Sequence, residues 1–415
     1  MKLALLGLRN LARNRRRTTI SLAIVGAGTV ALLLTAGFIR FSFDGLKEAM
    51  IHGGLGHLEV ASADALAGRQ PGALDRSLRH GLADWRELQA ELEALPHVEA
   101  AAATLQVMGM AALPDGDPVS FIGLGVEPGR ERRMGFTVRL VDGNDLDVAP
   151  PAEGDDRALL GRGLADALGA QPGDVVTLLA LNADGMLNAL DVRVAGVVTT
   201  GVADLDTRFL KLHLESARRL LQTDLVSNLV VGLDRTEHTA AAKAAVEAIV
   251  AGRPQPLTVT GWQERASFYG QVRNLYLGVF AFLGSIVFVL VVLACSNTLV
   301  MAVMERMREL GTLRAIGTTG SQLAVMLLSE ALWLGVLGGL IGDLAGLGAI
   351  ALVNALRLKM PPPPGAVSPI DLQLAYVPEA FAGAVALMVV VLALAALAPI
   401  AKAVRLRVVE ALDHV

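Results

Sequence analysis

Thr18-Thr19-Ile20-Ser21-Leu22-Ala23-Ile24-Val25-Gly26-Ala27-Gly28-Thr29-Val30-Ala31-Leu32-Leu33-Leu34-Thr35-Ala36-Gly37-Phe38-Ile39 contains no charge and follows directly on Arg13, Arg15, Arg16 and Arg17. As a helix rising about 1.5 Å per residue it reaches about 33 Å, enough to cross a hydrocarbon core of about 30 Å. A secretory signal would have a shorter apolar region and a small-residue cleavage site, so the run reads as an uncleaved anchor.

Three more runs of membrane length lie in the last third of the chain. Asn274 to Met304 is uncharged; Gln322 to Leu356 holds two acids, Glu330 and Asp343; Pro378 and Glu379 open a run that continues to Ala401. Trp262, Phe268, Tyr269 and Tyr276 precede the second run, as aromatic residues do at a membrane interface. The expected plan is an amino-terminal segment 1–17, spans at 18–41, 272–303, 321–356 and 378–401, short connections 304–320 and 357–377, a tail 402–415, and a water-compatible stretch 42–271.

Basic residues orient this plan. Lys2, Arg9, Arg13, Arg15, Arg16 and Arg17 flank the first span, Arg306, Arg308 and Arg314 lie between the second and third, and Lys402, Arg405 and Arg407 follow the fourth. The loop around Pro361 to Pro364 has only Arg357 and Lys359 nearby. The positive-inside bias therefore predicts cytoplasmic termini and an extracytoplasmic location for 42–271, a stretch long enough for its own core. Within it Ala83 to Leu95 and Thr239 to Val250 read as helices. His57 to Val60, Val119 to Val126, Val175 to Leu181, Val192 to Val198, Leu229 to Leu233 and Leu257 to Thr260 read as strands. The expected fold is four transmembrane helices plus a large α+β domain, of one lobe or two, between the first and second.

Composition excludes several functions. The net charge of −4 and 4% aromatic residues leave no footprint for nucleic acid. Cys295 is the single cysteine and cannot form an intrachain disulfide. His52, His57, His80, His97, His213, His238 and His414 show no metal-ligand spacing along the chain, so no metal is expected. Asp142 to Asp147 starts like a calcium loop but puts Asp147 where glycine is needed, and reads as an acidic turn. No phosphate-cradling Gly-x-x-x-x-Gly-Lys-Ser/Thr loop and no catalytic constellation occur, so the chain is expected to be neither an ATPase nor another enzyme. Glu330 and Asp343 are costly in lipid; a structural pairing of Glu330 with an amino-terminal arginine is expected, and Asp343 is left open between structure and function. Gly335, Gly339, Gly342 and Gly346 allow close helix approach.

The most informative segment runs from Asn297 to Gly317. It becomes amphipathic as it leaves the second span, with Met307, Leu310 and Leu313 on one side and Glu305, Arg308, Glu309 and Thr312 facing elsewhere. It resembles the signature loop of the FtsX/MacB/LolC-LolE family of ABC-transporter permeases, the type VII exporters. Glu305, Arg306, Arg308, Glu309, Leu310, Gly311, Arg314, Ala315 and Gly317 carry the match. Leu8 to Thr18, Glu330 with Gly335 to Gly342, and Pro399 to Leu412 resemble other parts of that family, while Val408 and Asp343 depart from it. Gly56-His57-Leu58-Glu59-Val60 and Leu160 to Asp174 look closer to the lipoprotein-releasing LolC/LolE branch.

The resemblance implies a MacB-like core in 42–271 and a coupling helix in 304–320 that docks on a separate cytoplasmic ABC ATPase dimer, where ATP and Mg would bind. It further implies a bacterial inner-membrane location, pairing with a second permease copy or a paralogue, and a mechanical transmitter acting on lipoproteins or other lipid-anchored or amphipathic substrates in contact with membrane lipid and a periplasmic acceptor. An FtsX-like regulator of a periplasmic cell-wall hydrolase and a MacB-like efflux permease are the alternatives.

Overall fold

The computed structural model describes residues 15–64, 81–136, 138–265, 267–360 and 370–405. The amino-terminal amphipathic segment, His80, the proline run at 361–364 and the family-like ending with Val408 and Glu410 lie outside the described residues. Contacts divide the chain into two compact units: a helical one up to Asp44, at Val272–Met360 and from Asp371 onward, and an α+β one at Gly45–Gln271. Helix α1, Arg15–Met50, contains the first division point and ends in a wide turn over Ile51–Leu55.

The α+β unit begins with β1 (Leu58–Ser62), α2 (Trp85–Glu93), β2 (Val98–Ala112), β3 (Val119–Val126) and α3 (Pro128–Arg133). It continues through β4 (Arg139–Gly143), β5 (Arg157–Gly161), α4 (Arg162–Leu168), β6 (Val175–Leu181) and β7 (Leu187–Thr199). It closes with β8 (Phe209–His213), α5 (Leu214–Leu221), β9 (Asn228–Leu233), α6 (Thr239–Val250) and β10 (Leu257–Gly261). Strands β10, β1, β9 and the first half of β2 form an antiparallel sheet in that order, with Leu58 opposite both Gly261 and Val231. The second half of β2 belongs to a closed ring, β2, β3, β8, β5, β7, β6 and back to β2, with β3/β8 and β5/β7 parallel. Closure leaves these strands no open edge. Where β2 crosses β6, a Cβ on Gly109 would run into the Leu179 carbonyl, so only glycine permits the approach.

Strand β2 was not expected. Its Ala100-Ala101-Ala102-Ala103 run is a poor strand former by propensity, yet all four alanines are wholly buried. The small side chains of Ala101 and Ala103 let α2 lie close, while Ala100 and Ala102 pack against Met134 on the opposite face; Gln89 donates from Nε2 to the Ala101 carbonyl at 2.7 Å. Trp85, Leu88 and Leu92 are the buried face of α2, at helical spacing; each such side chain stabilises by about 1.5–3 kcal/mol on burial. Expected helix Ala83 to Leu95 is thus two residues shorter at each end.

The long helices that follow are α7 (Ser267–Glu305), which enters the helical unit at Val272, α9 (Gly320–Ala355) and α10 (Pro378–Arg405), with the short α8 (Met307–Ala315) between α7 and α9. With α1, helices α7, α9 and α10 are long and apolar enough to cross a membrane. Trp262, expected at an interface, is instead buried against Ile51 within the α+β unit.

Candidate functional site

The connection between α7 and α9 is built by strong local signals. Arg306 departs from helical geometry and separates α7 from α8. At the far end of α8, Gly317 adopts φ +106°, the left-handed region that glycine enters without strain. Thr318 N–H then donates to the Leu313 carbonyl at 3.0 Å and Gly317 N–H to the Arg314 carbonyl at 3.1 Å, a Schellman closure. Thr319 and Gln322 start α9 with a reciprocal capping box.

This frame divides the expected coupling residues by direction. Leu310 and Gly311 are buried, and Leu310 joins Val303, Leu323 and Ala403 in an apolar cluster that holds α8 to the ends of three long helices. Arg306 also points inward: its side chain is 12% exposed and its Nη1 lies 3.2 Å from Glu330 Oε2. Its Nε reaches Glu309 Oε2 at 3.3 Å. Arg314 donates from Nη1 to the Val404 carbonyl at 3.0 Å, bonding one of the carbonyls that the end of α10 leaves open. Glu305, Arg308, Glu309, Thr312, Ala315 and Gly317 are exposed. Leu313, expected on the apolar face with Met307 and Leu310, is 37% exposed and stands beside Ile316, which is 80% exposed. The buried face is drawn by Met307, Leu310, Gly311 and Arg314, which places Leu313 at its margin.

Glu330 is buried, and the arginine paired with it among the described residues is Arg306 of the connection. The side chains of the amino-terminal arginines expected as its partner lie outside the described residues. A cavity of about 20 Å³, room for one water, adjoins the pair and is lined by Leu299, Leu310 and Pro399 among others. Pro399 lacks an N–H, so it frees a carbonyl one turn earlier in α10.

The glycines of α9 sort into two stripes. Gly335 and Gly339 face Val389 and Val385 of α10, while Gly342 and Gly346 face Thr29 and Leu33 of α1. Gly338, which sequence reasoning passed over, joins the second stripe: a Cβ there would lie 2.6 Å from Val25 Cγ1. Its signal was present in the four-residue spacing 338, 342 and 346, matched on α1 by 25, 29 and 33. Asp343 is partly exposed, and its Oδ1 is shut off from solvent with no partner among the described residues. Cys295 is buried in the apolar cluster of the long helices.

In the α+β unit the acidic turn is drawn apart. Asp142 accepts from Gly143 N, Asp145 pairs with Arg132 and Asp147 with Arg157, each at 2.8–3.0 Å. Conversely, His97 and His238, far apart in sequence, meet at Asp234.

A family model for the MacB-like periplasmic core domain matches residues 18–249, and one for the FtsX-like permease C-terminal region matches residues 280–408. The lipoprotein-releasing system transmembrane protein LolC of Neisseria meningitidis serogroup B is 24% identical over 361 residues, 83% of this chain and 80% of its own. The ABC transporter permease YtrF of Bacillus subtilis is 38% identical over 73 residues, 18% of this chain and 17% of its own. Among solved structures, the periplasmic region of MacB from Actinobacillus actinomycetemcomitans aligns with 52% of this chain and 94% of its own at 14% identity and a TM-score of 0.37. The extracellular domain of the transporter YknZ aligns with 49% of this chain and 99% of its own at 14% identity and a TM-score of 0.35.

Proposed function

The chain belongs to the family of ABC-transporter permeases that join a MacB-like periplasmic core domain to an FtsX-like C-terminal region, and on that premise we propose that it couples ATP hydrolysis by a separate ATPase to extrusion of lipid-anchored or amphipathic substrates. Permeases of this family are transport components rather than enzymes. ATP and Mg belong to the partner. The observation that carries the reading is the two-sided build of α8. Its inward side, Arg306, Leu310 and Arg314, is tied to α9 and α10, while Arg308, Leu313 and Ile316 stand outward on the exposed side. A helix packed on one face and bare on the other can pass a push from a docked partner to the long helices. Two exposed apolar side chains beside charges of both signs suit a shallow groove on such a partner.

In this scheme the loop and both termini are cytoplasmic, in the inner membrane of a bacterium, and two permeases pair over one ATPase dimer. The ATPase must bind one arrangement of α8 better than another, since a ligand shifts an equilibrium only through differential affinity. Helix α7, with Phe282, Leu290 and Leu293 more than half exposed, offers apolar surface to lipid and to a second copy. A lipoprotein is the favoured substrate class, in keeping with the function named for the Neisseria relative.

The test is reconstitution with the cognate ATPase in liposomes. Ile316→Asp and Arg308→Glu should each abolish permease-dependent ATPase stimulation and lipoprotein release, with folding unchanged by circular dichroism. If stimulation and release both persist, α8 is not the docking element. ATP-dependent activation of a cell-wall hydrolase without lipoprotein release would replace extrusion by signalling.

A further inference from the structure

We propose that the α+β unit carries a transition-metal site formed by His97, Asp234 and His238, suited to Zn²⁺ or a similar divalent ion that takes imidazole and carboxylate ligands. His97 comes from one place in the chain, and Asp234 and His238 from another. His97 immediately precedes β2, Asp234 immediately follows β9, and His238 is the last residue before α6. Because Val98 pairs with Leu233 in the sheet, the ends of β2 and β9 are already adjacent. Asp234 N–H donates to the His97 carbonyl at 3.1 Å and fixes the two backbones together. The spacing of Asp234 and His238, four residues over one turn, brings the second imidazole onto the same carboxylate.

The donor atoms converge. His97 Nδ1 lies 3.0 Å from Asp234 Oδ2, and His238 Nδ1 lies 2.7 Å from Asp234 Oδ1. The imidazole rings stack with centroids 3.8 Å apart, and one ligating atom from each of the three residues fits within a 4.8 Å span. Around a tetrahedral ion with bonds of about 2.1 Å, neighbouring ligand atoms stand about 3.4 Å apart, so binding asks the two histidine–carboxylate spacings to open by roughly 0.4 and 0.7 Å. Binding would replace the hydrogen bonds to Asp234; each neutral imidazole would offer the Nδ1 lone pair and keep its proton on Nε2. The three side chains are 32–51% exposed, which gives the ion an approach from solvent and leaves its fourth position to water. Two imidazoles and one carboxylate favour Zn²⁺, Ni²⁺ or Cu²⁺ over Ca²⁺ or Mg²⁺, which prefer oxygen donors.

His97 supports the assignment by its own conformation. It holds φ +69°, an uncommon setting for a residue with a side chain, and its imidazole meets Asp234 at 3.0 Å. No other group of three such residues within mutual reach occurs among the described residues.

The test uses the full-length permease, purified in detergent with a histidine-free tag and stripped with chelator. Titration with Zn²⁺ by calorimetry should show one saturable equivalent per chain. Co²⁺ should give visible d–d absorption of a four-coordinate site, displaced by Zn²⁺. His97→Ala and His238→Ala should each weaken binding at least about tenfold, and Asp234→Asn, which keeps a hydrogen-bonding side chain without the charge, should do the same. Zn²⁺ should raise the thermal midpoint of the parent protein and not that of the double histidine variant. Absence of saturable Zn²⁺ binding by the parent, or an unchanged equivalent in the double variant, would overturn the site.

Discussion

The two ends of α7 are fastened by the same chemistry in different surroundings. Just before the helix, Arg265 Nε lies 2.7 Å from Glu59 Oε2 within the α+β unit. Just after it, Arg306 Nη1 lies 3.2 Å from Glu330 Oε2 within the helical unit. Glu59 is wholly buried and also accepts from Asn228 Nδ2 and Thr260 Oγ1, so its carboxylate is held by three side chains from β9, β10 and the turn before α7. The Arg306 pair is longer, shares its guanidinium with exposed Glu309 and borders a small cavity. Burying an ion pair repays the lost hydration only when the remaining lone pairs and N–H groups are satisfied. The first pair meets that condition as a fixed clamp. The second has room and an alternative partner, as a joint that must rearrange would need.

The sharpest way to break this contrast is to remove one acid at a time. Glu59→Ala leaves Arg265 buried without its main partner and should cost about 3–5 kcal/mol, read as loss of native-state hydrogen-exchange protection in β1 and β9. Glu330→Ala should cost less, about 2–3 kcal/mol in protection of α8 and α9, because Arg306 retains Glu309. Equal losses at the two sites would remove the distinction between clamp and joint.

Acidification probes the α+β unit alone. Burial, aided by neighbouring His52, holds His57 down from an ordinary 6.5 to about 4. Its Nδ1 accepts from Leu233 N–H at 3.0 Å, an acceptor role that protonation destroys. Between pH 6.5 and 4 the unfolded chain binds this proton and the folded one does not, so the His57 contribution is complete above pH 6.5 and falls as pH drops toward 4. From pH 7 to 5 the loss should be about 2 kcal/mol, measured as a lower urea midpoint, and His57→Gln should flatten the profile. The smallest effect is expected at the joint's far edge. Thr319→Ala removes the capping box of α9 and should cost about 1 kcal/mol, seen as faster exchange of the Gln322 and Leu323 amides.

Much of the architecture was legible because it rests on strong, local signals. Uncharged runs of membrane length admit few alternatives, and Thr239 to Val250, Val119 to Val126 and Val175 to Leu181 appear with the bounds their periodicity gave. Strand β2 was not legible, since four alanines carry no alternation and become a strand only by being buried on both faces, Ala101 and Ala103 under α2 and Ala100 and Ala102 against Met134. The connection between α7 and α9 was visible as a motif, but its division into inward and outward residues was not. Arg306 and Arg308 are the same residue type two positions apart, and only Glu330 coming within reach tells them apart.

Sequence by itself determined the four apolar helices, their order, the α+β stretch between the first and second, and the glycine spacing on α9. These follow from the length of hydrocarbon a helix must cross and from a periodicity that each segment carries alone. Tertiary structure decided which acid meets which arginine, which glycine stripe faces which helix, how β2 closes a ring, and that His97 and His238 share one carboxylate. Each of these depends on residues far apart in the chain being brought within a few ångströms, a distance that linear spacing does not encode.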